Sequence, residues 1–360
     1  MSIGLGENDL NTVFIFIAIA VIILLIVLKP QKSKFWINQP VMLKNDNYIE
    51  GVISRLPRFT IDFPNKKYYI RINEEPSNIN SFLNSNFSKN YNMDNNMVKH
   101  ILNKHNTTGV TLYHGKKTIG FISSFPVSIN YKNSILNYQF VDFLCIEKLY
   151  RDRNIAPILI AQLINQFSDP YTIFLFKIEG SRLPFRHMFK GHYFIKDLGK
   201  VKPNIVKSIS ELSVYNFYKI HHLVNGLFDR YKFHRKYSKS EFLDIFMEKK
   251  LLKLYVVRNK SKMDSIIIGK KTIYTINHKE YVCFEIDHIL GECKYAKSVI
   301  SRFAAYAKYF EYSYITISTI GSNYNFIKAG NFKKGNTFYY YTYNQKIEPM
   351  YNDEFCFNIN

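Results

Sequence analysis

Two stretches of this chain repeat one pattern, and that repetition limits the fold more than any other feature. Residues 138–180, YQFVDFLCIEKLYRDRNIAPILIAQLINQFSDPYTIFLFKIEG, and residues 279–319, KEYVCFEIDHILGECKYAKSVISRFAAYAKYFEYSYITIST, each read as strand, turn, amphipathic helix and second strand. In the first predicted helix Ile155, Leu159, Leu163 and Phe167 recur at helical spacing, with Ile160 and Ile164 beside them. Pro157 falls in its first turn, where a missing N–H costs little. Ala296, Val299, Phe303 and Ala307 play the same part in the second. Strand–helix–strand units of this length imply parallel strands. Before the first unit, residues 117–132 read as a further, antiparallel strand. The expectation is an α/β (α+β) chain of two tandem halves with mixed sheets, dividing near 200–210 around Gly199 and Pro203. The alternative is two ordinary βαβ units alike by coincidence. Residues 84–106 are Asn-rich and weakly patterned, and read as a helix bracketed by loops.

The amino terminus sets a second constraint. Thr12–Leu28, TVFIFIAIAVIILLIVL, is an uncharged run of 17 residues, at the short end for a span. Glu7 and Asp9 precede it; Lys29, Lys32 and Lys34 follow. Secretory signals carry the opposite flank charge, and no small-x-small cleavage site follows here. The basic flank belongs on the cytosolic side. Residues 12–28 are therefore expected to be an uncleaved single-pass anchor in a lipid bilayer. Residues 1–11 would form a tail outside the cytosol, and everything after the anchor would lie on the cytoplasmic face. The net charge is +21, from 49 Lys and Arg against 28 Asp and Glu. Lysine, asparagine, isoleucine and tyrosine are plentiful together, the usage of an A+T-rich genome such as a large DNA virus or a protist; a virion membrane would then suit the anchor. The lysines are spread rather than blocked, so no nucleic-acid partner is expected, while anionic lipid or an anionic ligand suits the charge. Cys145, Cys283, Cys293 and Cys356 form no CxxC pair, and the histidines have no ligand spacing, so no metal is expected. Cys145 and Cys283 lie in apolar runs and read as core thiols.

The first repeat carries a feature the second lacks. The apolar run Phe143–Ile146 is followed by a basic turn containing Arg151 and Arg153, and then at once by the helix. A helix start presents unpaired N–H groups and a positive dipole end. With two arginines beside it, it is suited to a pyrophosphate; taken alone, it reads equally as a solvated basic turn. GNAT-class acetyltransferases grip acyl-CoA with a turn Arg/Gln-x-x-Gly-x-Gly/Ala in this position. Here the turn is Arg151-Asp152-Arg153-Asn154-Ile155-Ala156, followed by Pro157, with Asn154 where the middle glycine is expected.

Four further motifs add to the likeness. KFWINQPV (34–41), GFISSFPVSI (120–129), FDRYKFHRKYSKSEF (228–242) and TFYYYTYN (337–344) stand in the order found in eukaryotic glycylpeptide N-myristoyltransferases (N-tetradecanoyltransferases). The stretch FLCxxxxxRxxxxAPxLI, beginning at Phe143, resembles the same family. The resemblance covers roughly residues 34–360 and marks the chain as a divergent relative. It implies two GNAT acyltransferase-like halves about a pseudo-twofold: an acyl-CoA-binding half, 29–205, and a peptide-binding half, 206–360. It also implies transfer of a long acyl chain from myristoyl-CoA, as acyl-CoA co-substrate, to the N-terminal glycine amine of proteins.

The resemblance assigns roles as well. The Phe143 and Leu144 amides would receive the thioester oxygen, freed from the ladder by a bulge. Lys34, Phe35 and Trp36, with the turn Arg151–Pro157, would hold the CoA; Trp36 reads alternatively as an interfacial anchor. The amine, with a pKa of about 8, needs a base. The family uses the chain's own terminal carboxylate, here that of Asn360, which Phe355, Phe357 and Ile359 would draw inward; a loose terminus is the alternative. Phe87, Tyr91 and Asp94 fall in the family's acceptor loop, and His187 and His192 in its acceptor region. There the chain departs from the pattern. The acid-rich loop is NFSKNYNMDNN (86–96), an acid elsewhere is traded for the lysines of NFKKGN (331–336), and the Asn expected before Phe-Leu is Asp142. These changes imply a less basic acceptor. They also leave open a catalytically inactive, partner-binding membrane protein on the same fold, or a shorter-chain acyltransferase.

Overall fold

The computed structural model describes residues 34–44, 46, 49–87, 91–92, 95–103, 106–213, 216–259, 262–276 and 279–358. The chain forms two compact units, 1–39 and 40–360. In the first, Lys34–Ile37 make one helical turn, in which Phe35 and Trp36 meet edge to face at 5.0 Å. The expected anchor, 12–28, lies outside the described residues. Among those described, no helix is long and apolar enough to cross a membrane.

Residues 40–360 are built on one mixed sheet. Its earlier elements are β1 (Tyr68–Ile72), α1 (Pro76–Asn86), α2 (Asn95–Leu102), β2 (Thr108–His114), β3 (Lys117–Tyr131), β4 (Ser134–Ile146), α3 (Ile155–Asn165), β5 (Ile173–Glu179) and β6 (Phe189–Asp197). The later ones are β7 (Ile209–Glu211), α4 (Phe217–Phe228), β8 (Phe233–Arg235), β9 (Lys253–Asn259), β10 (Lys262–Ile276), β11 (Lys279–Gly291), α5 (Ala296–Tyr309), β12 (Tyr314–Ser318), α6 (Asn323–Ala329), β13 (Lys333–Tyr343) and β14 (Phe355–Cys356). The strands lie in the order β14-β8-β3-β4-β5-β13-β6-β12-β11-β10-β9-β7, with β2 and then β1 continuing from β3.

The repeated pattern folds as its spacing predicts. β3 is antiparallel to β4, and β4 is parallel to β5 through α3. Likewise β10 is antiparallel to β11, and β11 is parallel to β12 through α5. The apolar stripe of α3, Ile155, Leu159 and Leu163, joins Val110, Ile119 and Ile122 in one buried cluster. Val299, Ile300 and Phe303 of α5 join Phe284, Ile286 and Ile315 in another. Cys145 and Cys283 are buried thiols, and α2 is the helix expected in 84–106.

The two repeats, a first unit of β3, β4, α3 and β5 and a second of β10, β11, α5 and β12, also share a defect. Ser124 faces Val141 and Phe121 faces Cys145, so β4 holds one residue more than β3 over that interval. Gly269 faces Ile286 and Ile266 faces Leu290, so β11 holds one more than β10. Counting from these bulges, Asp142 corresponds to Asp287, Leu144 to Ile289, Glu147 to Glu292 and Tyr150 to Tyr295. A short 3₁₀ turn ends at each tyrosine. In the second unit the helix begins at once, with Ala296. In the first, the four residues 151–154 are interposed before Ile155.

At the second bulge the chains approach closely. A Cβ on Gly269 would lie 2.2 Å from the Glu285 carbonyl oxygen. Gly269→Ala is therefore expected to destabilise the protein by about 1–3 kcal/mol. Gly226→Ala is the control: Gly226 lies in α4 with open space around its Cα. It should gain about 0.5–1 kcal/mol from helix propensity. Urea unfolding of the two variants checks both signs.

Candidate active site

The bulge in β4 forms at Phe143 and Leu144, which together face Ile122. Phe143 has φ +57°, a left-handed conformation uncommon for a bulky side chain and a sign of local strain. Packing holds it there: its ring is buried and meets the half-exposed Phe87 edge-on at 6.0 Å. Leu144 is exposed. The Phe143 N–H donates to Asp142 Oδ1 at 2.7 Å, so one of the two amides expected to receive an oxyanion is engaged by its neighbour's carboxylate.

The interposed turn follows. Asp152 (φ +62°) and Asn154 (φ +57°) both adopt the left-handed conformation. This accounts for the missing glycine, since Asn is among the few other residues that enter that region readily. Asn154 caps α3 without a side-chain hydrogen bond, which leaves the first-turn amides of Ile155 and Ala156 uncapped by any side chain. Pro157, in the same turn, has no N–H to satisfy. Arg151 ties the turn down, its Nε donating to Ile146 O (3.1 Å) and its Nη2 to Asn86 O at the end of α1 (3.0 Å). Arg153 lies over the Tyr150 ring at 5.3 Å. Both arginines and Asp152 are exposed, so the turn sets full positive charge beside a helix start.

A charged cluster that the sequence did not reveal adjoins the bulge. Lys177 (β5) donates to the Tyr193 hydroxyl (β6) at 2.9 Å, and that hydroxyl donates to Glu179 Oε1 at 2.7 Å. Lys270 (β10) lies 3.9 Å from Glu285 (β11). Burial raises the Asp142 pKa; its own Phe143 amide, Lys177 and Lys270 pull it down, and Glu179 pushes it up. Burial opposes the charge on Lys177, but Tyr193, Tyr340 and Glu179 hold it firmly protonated. No local pattern announces that Lys177 and Glu179 of β5, Tyr193 of β6, Lys270 of β10 and Glu285 of β11 come together.

The corresponding place in the second unit is filled by the protein itself. Asn323 Oδ1, at the start of α6, accepts the Ile289 N–H at 2.7 Å, and its Nδ2 donates to Asp287 O at 2.8 Å. Asp287 Oδ1 accepts from Asn358 Nδ2 at 2.9 Å, and Asn358 Oδ1 accepts from the Tyr340 hydroxyl at 3.3 Å. The tail is drawn inward as its apolar residues imply. Phe355 stacks on Phe189 (4.2 Å) and Phe233 (5.1 Å), and Phe357 is fully buried. Asn360, the expected base, lies outside the described residues, as does Asp94. The Tyr91 backbone pairs with Tyr274 of β10. Lys34, Phe35 and Trp36 belong to the first compact unit. His192 Nδ1 is 3.0 Å from the Thr337 hydroxyl. Burial, then Arg182, Lys190 and Arg186, lower His187 to about 4. A separate depression of about 740 Å³, bordered by His100, Arg235, Asp244 and Lys249, includes none of the candidate residues.

Residues 66–170 match the family model for the N-terminal domain of Myristoyl-CoA:protein N-myristoyltransferase. The backbone superposes on Saccharomyces cerevisiae N-myristoyltransferase with bound myristoyl-CoA, with a TM-score of 0.74 and 16% identity over 89% of this chain and 94% of that one. The fold is that of an N-myristoyltransferase. A second structure of the yeast protein, with myristoyl-CoA and inhibitors, matches over 92% of this chain and 95% of its own, also at 0.74 and 16% identity. Among curated proteins, the glycylpeptide N-tetradecanoyltransferase of Dictyostelium discoideum is 25% identical over 159 residues, 38% of each chain. Glycylpeptide N-tetradecanoyltransferase 2 of Bos taurus is 36% identical over 55 residues, 15% of this chain and 11% of its own. The matched stretches thus span well under half of these relatives.

The N-myristoyltransferase-like core buries one histidine with a clear pH consequence. His288, beside Cys356 Sγ at 3.4 Å, is held neutral by burial, with its pKa lowered from 6.5 to about 3. The unfolded chain binds that proton first, so stability present above pH 6.5 is lost as pH falls toward 3. His288→Gln is expected to flatten that loss, measured as the pH dependence of urea unfolding.

Proposed function

We propose that this protein transfers a long acyl chain, with myristoyl the best fit, from acyl-CoA to the N-terminal glycine amine of acceptor proteins, and that its amino-terminal segment anchors it so that transfer occurs at the cytoplasmic face of a membrane. The observation that carries the reading is the bulge at Phe143 and Leu144 set next to an arginine turn and a helix start. Acyl transfer needs both parts: amides released from the ladder to receive the charge that develops on the thioester oxygen, and fixed positive charge to hold the pyrophosphate. The likeness to enzymes of this activity supports the same reading. The two halves then act as tandem GNAT-like units, of which only the first carries the turn.

Acceptor specificity is read as altered. Lys333 and Lys334 are exposed at the start of β13, where acids would favour a basic peptide. A less basic acceptor suits them better. One observation favours a second reading, a scaffold without transfer: the Asp142 carboxylate holds the Phe143 amide.

Calorimetric titration of the full chain in lipid nanodiscs with a non-hydrolysable myristoyl-CoA, acetyl-CoA and free CoA separates these readings. Tight binding of the long chain alone supports the proposal, equal binding of all three points to shorter acyl groups, and no binding leaves the scaffold. Arg153→Ala is expected to weaken myristoyl-CoA binding about tenfold, roughly the value of one charge-assisted contact, and less at high salt. Arg153 is the cleaner probe, because Arg151 also holds the turn to Ile146 and Asn86.

A further inference from the structure

Resting on the reading of a membrane-anchored enzyme, we propose that one face of β6 and β13 forms a basic ribbon that docks on the anionic lipid leaflet to which the amino-terminal segment tethers the chain. Residues paired across two strands share a face of the sheet. Lys190 stands opposite Tyr339, His192 opposite Thr337 and Lys334 opposite Phe194. The 3.0 Å contact of His192 Nδ1 with the Thr337 hydroxyl fixes the side. Residues 181–187 fold onto the same face. There the His187 ring meets Tyr339 edge-on at 5.2 Å, and the Leu183 N–H donates to the Tyr341 hydroxyl at 2.9 Å. Arg182, Lys190 and Lys334 are exposed and Arg186 is half-buried, with the exposed Lys333 alongside at the start of β13.

The charge of the ribbon is unopposed. No acid occurs in residues 180–196 or 328–346. Among the described residues, none of these five cations forms an ion pair. Elsewhere Lys117, Lys232 and Lys249 are each matched by a carboxylate. The acids on adjoining elements are already engaged. Glu179 lies on the opposite face and accepts from the Tyr193 hydroxyl. Asp197, at the end of β6, accepts the Gly199 N–H at 2.7 Å, and Asp46 lies 3.6 Å from Lys346. Burial first, and then the neighbouring cations, lower the pKa of His187 and of His192, so the two rings stay neutral.

The tether joins the sheet at this place, which selects lipid as the occupant. Met42 O accepts the Arg186 N–H at 2.9 Å, and Pro40 O accepts the Asn344 N–H at 2.7 Å. Leu43, next along the chain, is exposed. Residues 29–39 lead back to the apolar run and carry Lys29, Lys32 and Lys34 without an acid. Fully extended, they reach at most about 40 Å. A basic face joined to so short a tether stays within reach of the cytoplasmic leaflet, whose surface is negative. Docking also orients the enzyme. Lys177, Tyr193 and Glu179, on the other face of the same sheet, then point away from the lipid and toward acceptors in solution.

The test uses the full chain in phosphatidylcholine vesicles with and without phosphatidylserine. A nitroxide is placed at Asn336→Cys, an exposed position beside the ribbon, in a Cys293→Ser background that removes the exposed thiol. With phosphatidylserine the label should be shielded from an aqueous nickel chelate and reached by membrane-dissolved oxygen. In neutral vesicles it should stay open to the chelate, as it should in about 1 M salt, where the screening length falls to about 3 Å. Lys190→Ala with Lys334→Ala should lower the ratio of docked to undocked protein about 25-fold, each cation near such a surface being worth roughly fivefold. Equal exposure of the label in both vesicles, or shielding that survives the double substitution, would overturn lipid docking and leave anchored transfer standing. Shielding induced in neutral vesicles by polyglutamate alone would assign the ribbon to an acidic protein and refute the lipid. A chain that floats with neither vesicle after a high-salt wash would overturn the anchor, and docking with it.

Discussion

One extra residue in a strand pair governs this molecule. A sheet ladder uses every amide it aligns, and a buried amide left unpaired costs about 1–3 kcal/mol. A chemistry that needs free amides in a dry place must therefore break the ladder locally, and a bulge is the smallest break available. Both units contain it, between Val141 and Cys145 and between Ile286 and Leu290. They resolve it differently. In the second, α6 delivers Asn323 to the Ile289 amide and the tail delivers Asn358 to Asp287, so the break becomes a structural joint. In the first, β5 passes through Gly180 toward β6 without an intervening helix, and the Phe143 amide is met instead by the side chain of its neighbour Asp142.

The second asymmetry is the interposed turn. Where Ala296 follows Tyr295 directly, Arg151–Asn154 separate Tyr150 from Ile155. Two left-handed residues in four make the turn tight enough for α3 to start with its amides uncapped. The Arg151 contacts to Ile146 and Asn86 lock it against β4 and α1, so the turn is held at a fixed distance from the bulge, with residues 145–150 between them. Under the proposed acyl transfer such fixed spacing would matter, since misplacement at one end of a long thioester is felt at the other.

How much of this was legible depends on range. The helix stripes of α3 and α5, and the parallel strands they connect, follow from periodicities of 3.6 and 2 within about forty residues. The bulge was expected only because the FLC motif suggested it; nothing in the alternation of YQFVDFLCI marks the surplus residue. The placement of β13 between β5 and β6, antiparallel to both, was not visible at all. It joins residue 338 to 179 and 191, and such pairings are fixed by global register rather than local pattern. The cluster was missed for the same reason: Lys177, Tyr193, Lys270 and Glu285 each look like an ordinary outward residue of an alternating strand. What the sequence did betray was their neighbour, because an acid stands where the resemblance led one to expect an amide.

That acid stands in a basic molecule. A chain of net charge +21 repels a cationic amino terminus at long range. Beyond a Debye length of about 8 Å at physiological ionic strength the repulsion is screened, so an acceptor can approach. Capture then depends on the few charges within that distance. Around the first bulge Lys177 is matched by Glu179 and Lys270 by Glu285, while the carboxylates of Asp142 and Asp287 both act on the Tyr340 hydroxyl. The bulge brings the Phe143 amide onto Asp142 Oδ1, so the residue that breaks the ladder is itself held by its neighbour's carboxylate.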